Sequence, residues 1–375
     1  MADLKRTPLY NEHVRCGGKL VEFHGWELPV QYANGIIKEA KAVREDMGVF
    51  DVSHMGEIFL RGRDALKAAE CLVTNNVSKL KYGEICYSPM CYEDGGIVDD
   101  LLVYKKTSEE ILMVVNASNV EKDFNWIKQN TESFDVEVLN KSDQYAQLAV
   151  QGPNVEEKLQ EYSGVRLDQI PFYSFKEGPF NGIDCLISRT GYTGEDGFEF
   201  YTSTEAVIPL WRKLIEIGAK PAGLGARDLL RFEACYMLYG NEITNETTPL
   251  EAGLKWTVDF TMDFIGKTAL EQQEEKGLER RLKAFEVTEK GGIPRTGNKI
   301  FNGDQEIGFV TTGNKSTTLN KIVALGYVPS KGYKLGKEVE IEIRENKRLK
   351  AKVVKKPFYV GSVNPDKHSK KKWKQ

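Results

Sequence analysis

The sequence predicts a multidomain α+β protein that ends in a separate all-β domain. Three observations carry this. The chain has 375 residues, more than a single hydrophobic core normally serves. Up to residue 245, strand-like runs alternate with segments whose apolar residues recur at helical spacing. From residue 282 onward, short strands and glycine turns follow one another, and Glu338-Val339-Glu340-Ile341-Glu342-Ile343 alternates as a half-exposed strand does. With 41% hydrophobic and 29% charged residues, the composition is that of a globular protein, and a net charge of −3 argues against a general nucleic-acid footprint. No apolar run is long enough to span a membrane, and the first residues lack the apolar core of a signal peptide, so a cytosolic location (or a matrix-like one, if the protein is imported) is expected. Cys16, Cys71, Cys86, Cys91, Cys185 and Cys235 show no zinc-finger or redox spacing. With four histidines besides, a protein metal site is not expected and free, largely buried thiols are.

Taken in order, residues 15–32 read as short strands broken by glycine and proline. Ile36, Ala40, Val43 and Met47 predict a helix with Gly48 as its stop. Val49 to Leu60 reads as the start of a strand. Ser53 and His54 lie within it, but adjacent strand residues point apart and no nucleophile elbow is present, so a hydrolase is excluded. Residues 65–73 predict an amphipathic helix, and Glu93-Asp94-Gly95-Gly96 a hairpin turn between two strands. Ser118-Asn119-Val120-Glu121 reads as a capping box opening a helix with Val120, Phe124 and Ile127 on one face. Strands are expected at 136–139 and 146–151, and a helix through Val155, Leu159 and Tyr162. Gly191, Gly194 and Gly197 make a loop between two strands that lacks the ending of a phosphate loop. A helix through Val207, Leu210, Leu214 and Ile217 stops at Gly218. Arg227 and Arg231 then share a helix face after a glycine loop, either as a solvated face or as an anion site.

The stretch from Gly95 to Tyr104 is the most informative. Alternation puts Ile97, Asp99, Leu101 and Val103 on one face of a strand and Val98, Asp100, Leu102 and Tyr104 on the other. Both faces are mostly apolar, so each carboxylate must be hydrogen-bonded, paired, protonated or wet at the strand end. Spacing does not say which aspartate matters more. Glu199, two residues past Gly197, could accept parallel N–H bonds from a guanidine-like ring edge.

Four motifs, in this order and spacing, resemble the glycine cleavage T-protein family: Phe50-Asp51-Val52-Ser53-His54-Met55-Gly56, Gly95-Gly96-Ile97-Val98-Asp99-Asp100-Leu101, the run from Ser188 to Glu199, and Gly223-Leu224-Gly225-Ala226-Arg227-Asp228. Phe264-Ile265-Gly266-Lys267 and Lys355-Lys356-Pro357-Phe358-Tyr359 extend the likeness nearly to the end of the chain. The resemblance implies a three-domain cloverleaf around a central folate channel with a barrel-like β domain at the C-terminus. Residues 1–50 with 138–245 would form a first, discontinuous domain and residues 51–137 a second. Residues 246–281 would connect to a β-rich domain at 282–363, leaving a lysine-rich flexible tail at 364–375. It implies an aminomethyltransferase that takes the aminomethyl group from lipoylated H-protein and passes its methylene to tetrahydrofolate as co-substrate, with no metal. It selects Asp100 as the catalytic carboxylate. Met55, Tyr87 and Tyr192 would line the folate channel, Glu199 would hold the pterin edge, Arg227 the glutamate tail, and Tyr359 would join the folate contacts. Where relatives usually show Ser-Pro-Thr-Leu, this chain has Ser316-Thr317-Thr318-Leu319.

Two related readings fit less well. An iron–sulfur assembly factor of the same fold carries a Lys-Gly-Cys-Tyr-x-Gly-Gln-Glu type motif, whereas this chain has Met237-Leu238-Tyr239-Gly240-Asn241-Glu242. The folate-binding half of a flavin-dependent dimethylglycine or sarcosine dehydrogenase would be joined to a dinucleotide-binding domain, and no Gly-x-Gly-x-x-Gly follows a strand here.

Overall fold

Three β systems share one central space. The structure, a computed structural model, describes residues 4–345 and 347–363; the lysine-rich tail lies outside the described residues. A six-stranded sheet runs Phe175–Phe180, Ile183–Ser188, Gly197–Ser203, Tyr145–Gln151, Gly48–Asp51, Lys220–Pro221, antiparallel except for the last pair. An antiparallel five-stranded sheet runs Ile85–Cys91, Ile97–Lys105, Glu110–Val115, Gly56–Arg61, Glu137–Asn140. The third system is a closed barrel of six strands: Arg280–Val287, Lys321–Pro329, Gln305–Ser316, Lys299–Asn302, Glu338–Arg344 and Lys347–Val354. The expected α+β architecture with a C-terminal barrel is therefore present. Among the described residues no helix is long and apolar enough to cross a membrane.

Each sheet buries one face under helices. Leu210, Trp211 and Leu214 of helix Val207–Ile217 pack on Leu148, Val150, Phe198 and Phe200 of the first sheet. Ala65, Ala68 and Leu72 of helix Ala65–Leu72, with Ile127 of helix Val120–Asn130, cover Ile58, Leu101, Val103 and Met113 of the second. The other faces meet: Phe59, Tyr104, Leu112 and Val114 pack against Phe175, Leu186 and Tyr201, and the Tyr104 and Tyr201 hydroxyls lie 2.7 Å apart. Burying such side chains is worth about 1.5–3 kcal/mol each, so this shared layer fixes the two sheets against one another. The barrel joins through Phe232, Met237, Ile243 and Ile97, which pack with Leu282, Val323 and Leu325.

Several local expectations are corrected. The run from Val49 to Leu60 is two strands, Gly48–Asp51 and Gly56–Arg61, one in each sheet. A turn closed by Met55 N–H donating to Val52 O (3.0 Å) separates them, because the chain must change sheets here. Gly48 is no helix stop: the helix ends at Glu45 and Gly48 already lies in a strand. Ser118 to Glu121 forms no capping box, since Ala117–Asn119 is a single 3-10 turn and the Asn119 side chain is drawn away to Asp99. The box that forms is Thr248 with Glu251, at helix Pro249–Ala252. In strand Ile97–Lys105 a bulge opposite Met90 and Cys91 adds one residue, so Val98 joins Leu101 and Val103 in the helix-side core while Ile97 turns toward the barrel. The preceding hairpin turn needs its glycines: Gly95 has φ +86°, and a Cβ on Gly96 would lie 2.0 Å from Asn245 O.

Candidate active site

A cavity of about 430 Å³ opens where the two sheets and the barrel come together. Strands place most of its polar groups. Asp100 comes from Ile97–Lys105, Tyr87 from Ile85–Cys91, Gln147 from Tyr145–Gln151 and Glu199 from Gly197–Ser203. Asn116 follows strand Glu110–Val115 directly, Arg227 sits in the first turn of helix Leu224–Glu233, and Tyr192 stands in the loop before Gly197. Met55, on the turn between the two sheets, adds an apolar wall. Trp256, half exposed, stacks on Tyr87 with ring centroids 5.9 Å apart.

The two aspartates part company as alternation requires. Asp100 faces the cavity. Its carboxylate accepts from Tyr87 Oη and from Asn116 Nδ2, each at 2.9 Å. Burial, then the nearby Asp99 charge, pushes its pKa up to about 7, against the pull of those two donors. Asp99 is fully buried on the helix side. It accepts from Asn116 N at 3.0 Å, Asn116 Nδ2 at 2.9 Å and Asn119 Nδ2 at 2.7 Å, not from the hairpin turn, whose Gly96 N–H goes to Asp94. Asp123 lies behind it, fully buried, its pKa pushed up to about 11 by burial and then by Asp99. A buried carboxyl held by three donors is a stable wall. A carboxylate near neutrality that borders open space is a proton acceptor.

Across the cavity, Glu199 is 6% exposed and anchored from behind. Thr190 Oγ1 donates to one of its oxygens and Gln147 Nε2 to the other at 3.2 Å; Gln147 Nε2 also reaches Tyr201 Oη at 3.0 Å. Those bonds fix the Gln147 amide orientation and leave its Oε1 buried without a donor. Burial raises the Glu199 pKa, opposed by Thr190 and by the Arg227 charge. The Arg227 guanidinium lies over the Tyr192 ring, 4.5 Å from its centroid, and no carboxylate among the described residues pairs with it directly. Tyr192 is held in turn by its hydroxyl, which donates to Met237 O, and by stacking on Tyr236.

Six of the seven residues singled out in the sequence — Met55, Tyr87, Asp100, Tyr192, Glu199 and Arg227 — thus border one cavity. Tyr359 does not. Its ring lies under the Arg44 guanidinium at 4.1 Å and its backbone N–H donates to Glu233 O, because Arg44 with Glu195 and Glu233 forms a buried ion cluster that draws the aromatic ring in. Ser316 and Thr318 donate to the same Glu233, so the loop around Thr317 ties the barrel to the helix that carries Arg227. Arg231 shares no site with Arg227. It is 1% exposed and bonded to Glu242 at 2.6 Å and Asp228 at 2.8 Å. His54 is buried, its pKa lowered to about 4 by burial and then by Arg227, with no serine partner. Asn116, Gln147 and Trp256 were not found from the sequence; a lone Asn at the end of the apolar run 111–115 was the only visible signal.

A cavity of this size, mostly apolar, with a buried carboxyl of raised pKa on one wall and a carboxyl and a guanidinium on the facing wall, has the form of a small-molecule enzyme site. Comparison with known proteins narrows this. Residues 9–262 match the GCVT N-terminal domain and residues 280–359 the glycine cleavage T-protein C-terminal barrel domain. The aminomethyltransferase of Thermosipho melanesiensis is 52% identical over 97% of this chain and 99% of its own, and that of Alkaliphilus oremlandii 52% identical over 97% and 100%. The crystal structure of glycine cleavage system aminomethyltransferase T from Bartonella henselae superposes with a TM-score of 0.90 at 33% identity, covering 96% of this chain and 99% of that one. The chain belongs to the glycine cleavage T-protein family, the aminomethyltransferases.

Proposed function

We propose that this enzyme transfers the methylene of the aminomethyl group on the lipoyl arm of H-protein to tetrahydrofolate, giving 5,10-methylenetetrahydrofolate, ammonia and dihydrolipoyl H-protein. The observation that carries the reading is the Asp100 carboxyl, its pKa raised to about 7 by burial and then by Asp99, on the wall of a mostly apolar cavity. The residues present suit a reduced pterin with an acidic tail. Glu199 offers parallel acceptors to a ring edge rich in N–H groups, the donor-less Gln147 Oε1 lies beside it, and Arg227 has no carboxylate partner among the described residues. Tyr87, Tyr192, Trp256 and Met55 supply flat and apolar surface for the rings between.

Tetrahydrofolate, when bound, supplies the nucleophilic nitrogen atoms that receive the methylene. Asp100 does two things through one carboxylate. It accepts a proton, and as a fixed negative charge in a dry site it stabilises positive charge that develops near it. Tyr87 and Asn116 orient that carboxylate by donating to separate oxygens. Arg227 would take the carboxylate of the ligand tail. The test is tetrahydrofolate-dependent ammonia release from aminomethylated H-protein. Release that is independent of folate, or unaffected by Asp100→Asn, overturns the reading.

A further inference from the structure

The cavity wall carries a cation that the proposed reaction leaves without a task. Lys356 borders the cavity beside Gly253, its Nζ 3.3 Å from where a Cβ on that glycine would stand. Val354 is the last residue of its strand to pair with Ala284, and the chain continues along the edge of strand Arg280–Val287, toward Leu282 and Arg281. Arg281 and Lys283 stand two apart on that strand and so project from the same face. Arg281 is exposed, Lys283 half-buried and Lys356 half-buried against the cavity.

Three cations of the barrel are held by carboxylates: Lys299 by Glu306, Lys321 by Glu286 and Arg280 by Glu251. Among the described residues, Arg281, Lys283 and Lys356 have none. Burial, then Arg281, lowers the Lys283 pKa; burial lowers that of Lys356, and Arg281 and Lys283 add to this against the opposing pull of Cys235 and Glu242. Three like charges that influence one another and have no carboxylate in direct contact repel, and an anion laid along them reduces that cost.

We propose that Lys356, Lys283 and Arg281 form a tract, leading outward from the cavity, for an anionic chain continuous with the cavity ligand. On the folate reading, on which this rests, that chain is a poly-γ-glutamyl tail, and the tract takes the carboxylates beyond the one held by Arg227. Its inner end decides the occupant. A folded acidic surface could cover Arg281 and Lys283, but it could not reach Lys356 on a cavity wall. A chain that emerges from the cavity passes Lys356 first.

The test is calorimetric titration of the full-length protein with tetrahydrofolate bearing a single glutamate or several, at low and physiological salt. The longer ligand should bind roughly tenfold more tightly, with an advantage that shrinks as salt rises, as expected of a few part-exposed ion pairs. Lys356→Gln should bring the ratio toward one. The double variant Arg281→Gln with Lys283→Gln, on the outer part of the tract, should do the same and serves if Lys356→Gln fails to fold. Equal affinity for the two ligands in the unmodified protein, or a ratio that survives both variants, overturns the tract alone. A raised KM for H-protein with the ratio intact overturns it too and assigns the patch to protein docking. Failure of both ligands to bind overturns the folate reading itself.

Discussion

The two faces of strand Ile97–Lys105 make different uses of the same residue type. On the helix side, Asp99 has three donors and the acid Asp123 behind it. On the cavity side, Asp100 has two donors and open space. One turn of helix separates a second such pair: Arg231 is bonded to two carboxylates, whereas Arg227 lies on the Tyr192 ring and pairs with no carboxylate among the described residues. In both pairs the fully bonded member holds the wall and the incompletely bonded one faces the cavity. Chemistry needs groups whose bonding capacity the protein has left open, and a wall needs groups for which it has not.

The sharpest way to break this contrast is to exchange the aspartates for asparagine. Asp100→Asn should lower kcat about 10²–10⁴-fold, the usual effect of losing an acid–base group, with melting temperature little changed. Asp99→Asn should act first on melting temperature, because it places an amide against the Asn116 and Asn119 donors. A rate loss confined to Asp99→Asn would reverse the two roles. The arginines give the parallel test. Arg231→Met strands a buried Glu242 and should cost about 3–5 kcal/mol of stability in denaturant titration. Arg227→Ala should instead cost about 1.5–3 kcal/mol of tetrahydrofolate affinity by calorimetry, and Glu199→Gln a similar amount. Equal stability losses for the two arginines would erase the distinction between them.

The pH dependence sharpens the comparison further. Asp100 ionises near 7 in the folded chain, against 3.8 as the ordinary value. Its folded form therefore keeps a proton that the unfolded form has lost, and this group's contribution to stability falls as pH rises through that window. Activity, which needs the carboxylate, should rise through the same window, about tenfold per pH unit below 7. The smallest effect should come from Tyr87→Phe. Removing a donor to the charged form raises the Asp100 pKa, so the acid limb of kcat/KM should move up by about half to one pH unit. A downward shift would mean that Tyr87 does not act through Asp100.

What the sequence determined by itself was periodic and local. Two-residue alternation set Asp99 and Asp100 on opposite faces of one strand, and short strands with glycine turns marked the barrel, because backbone geometry imposes both patterns wherever the chain goes. Motif resemblance pointed to six residues that border the cavity. Only the tertiary structure decided which face of the strand met that cavity, since this depends on where the first sheet packs, not on the strand. It separated Arg227 from Arg231, which share a helical spacing, because Glu242 reaches only the second. It drew Tyr359 to Arg44, left Lys356 on the cavity wall, and brought in Asn116, Gln147 and Trp256 from segments far apart in the chain. A side chain's partners come from whichever distant segment packs against it, and no local pattern carries that information.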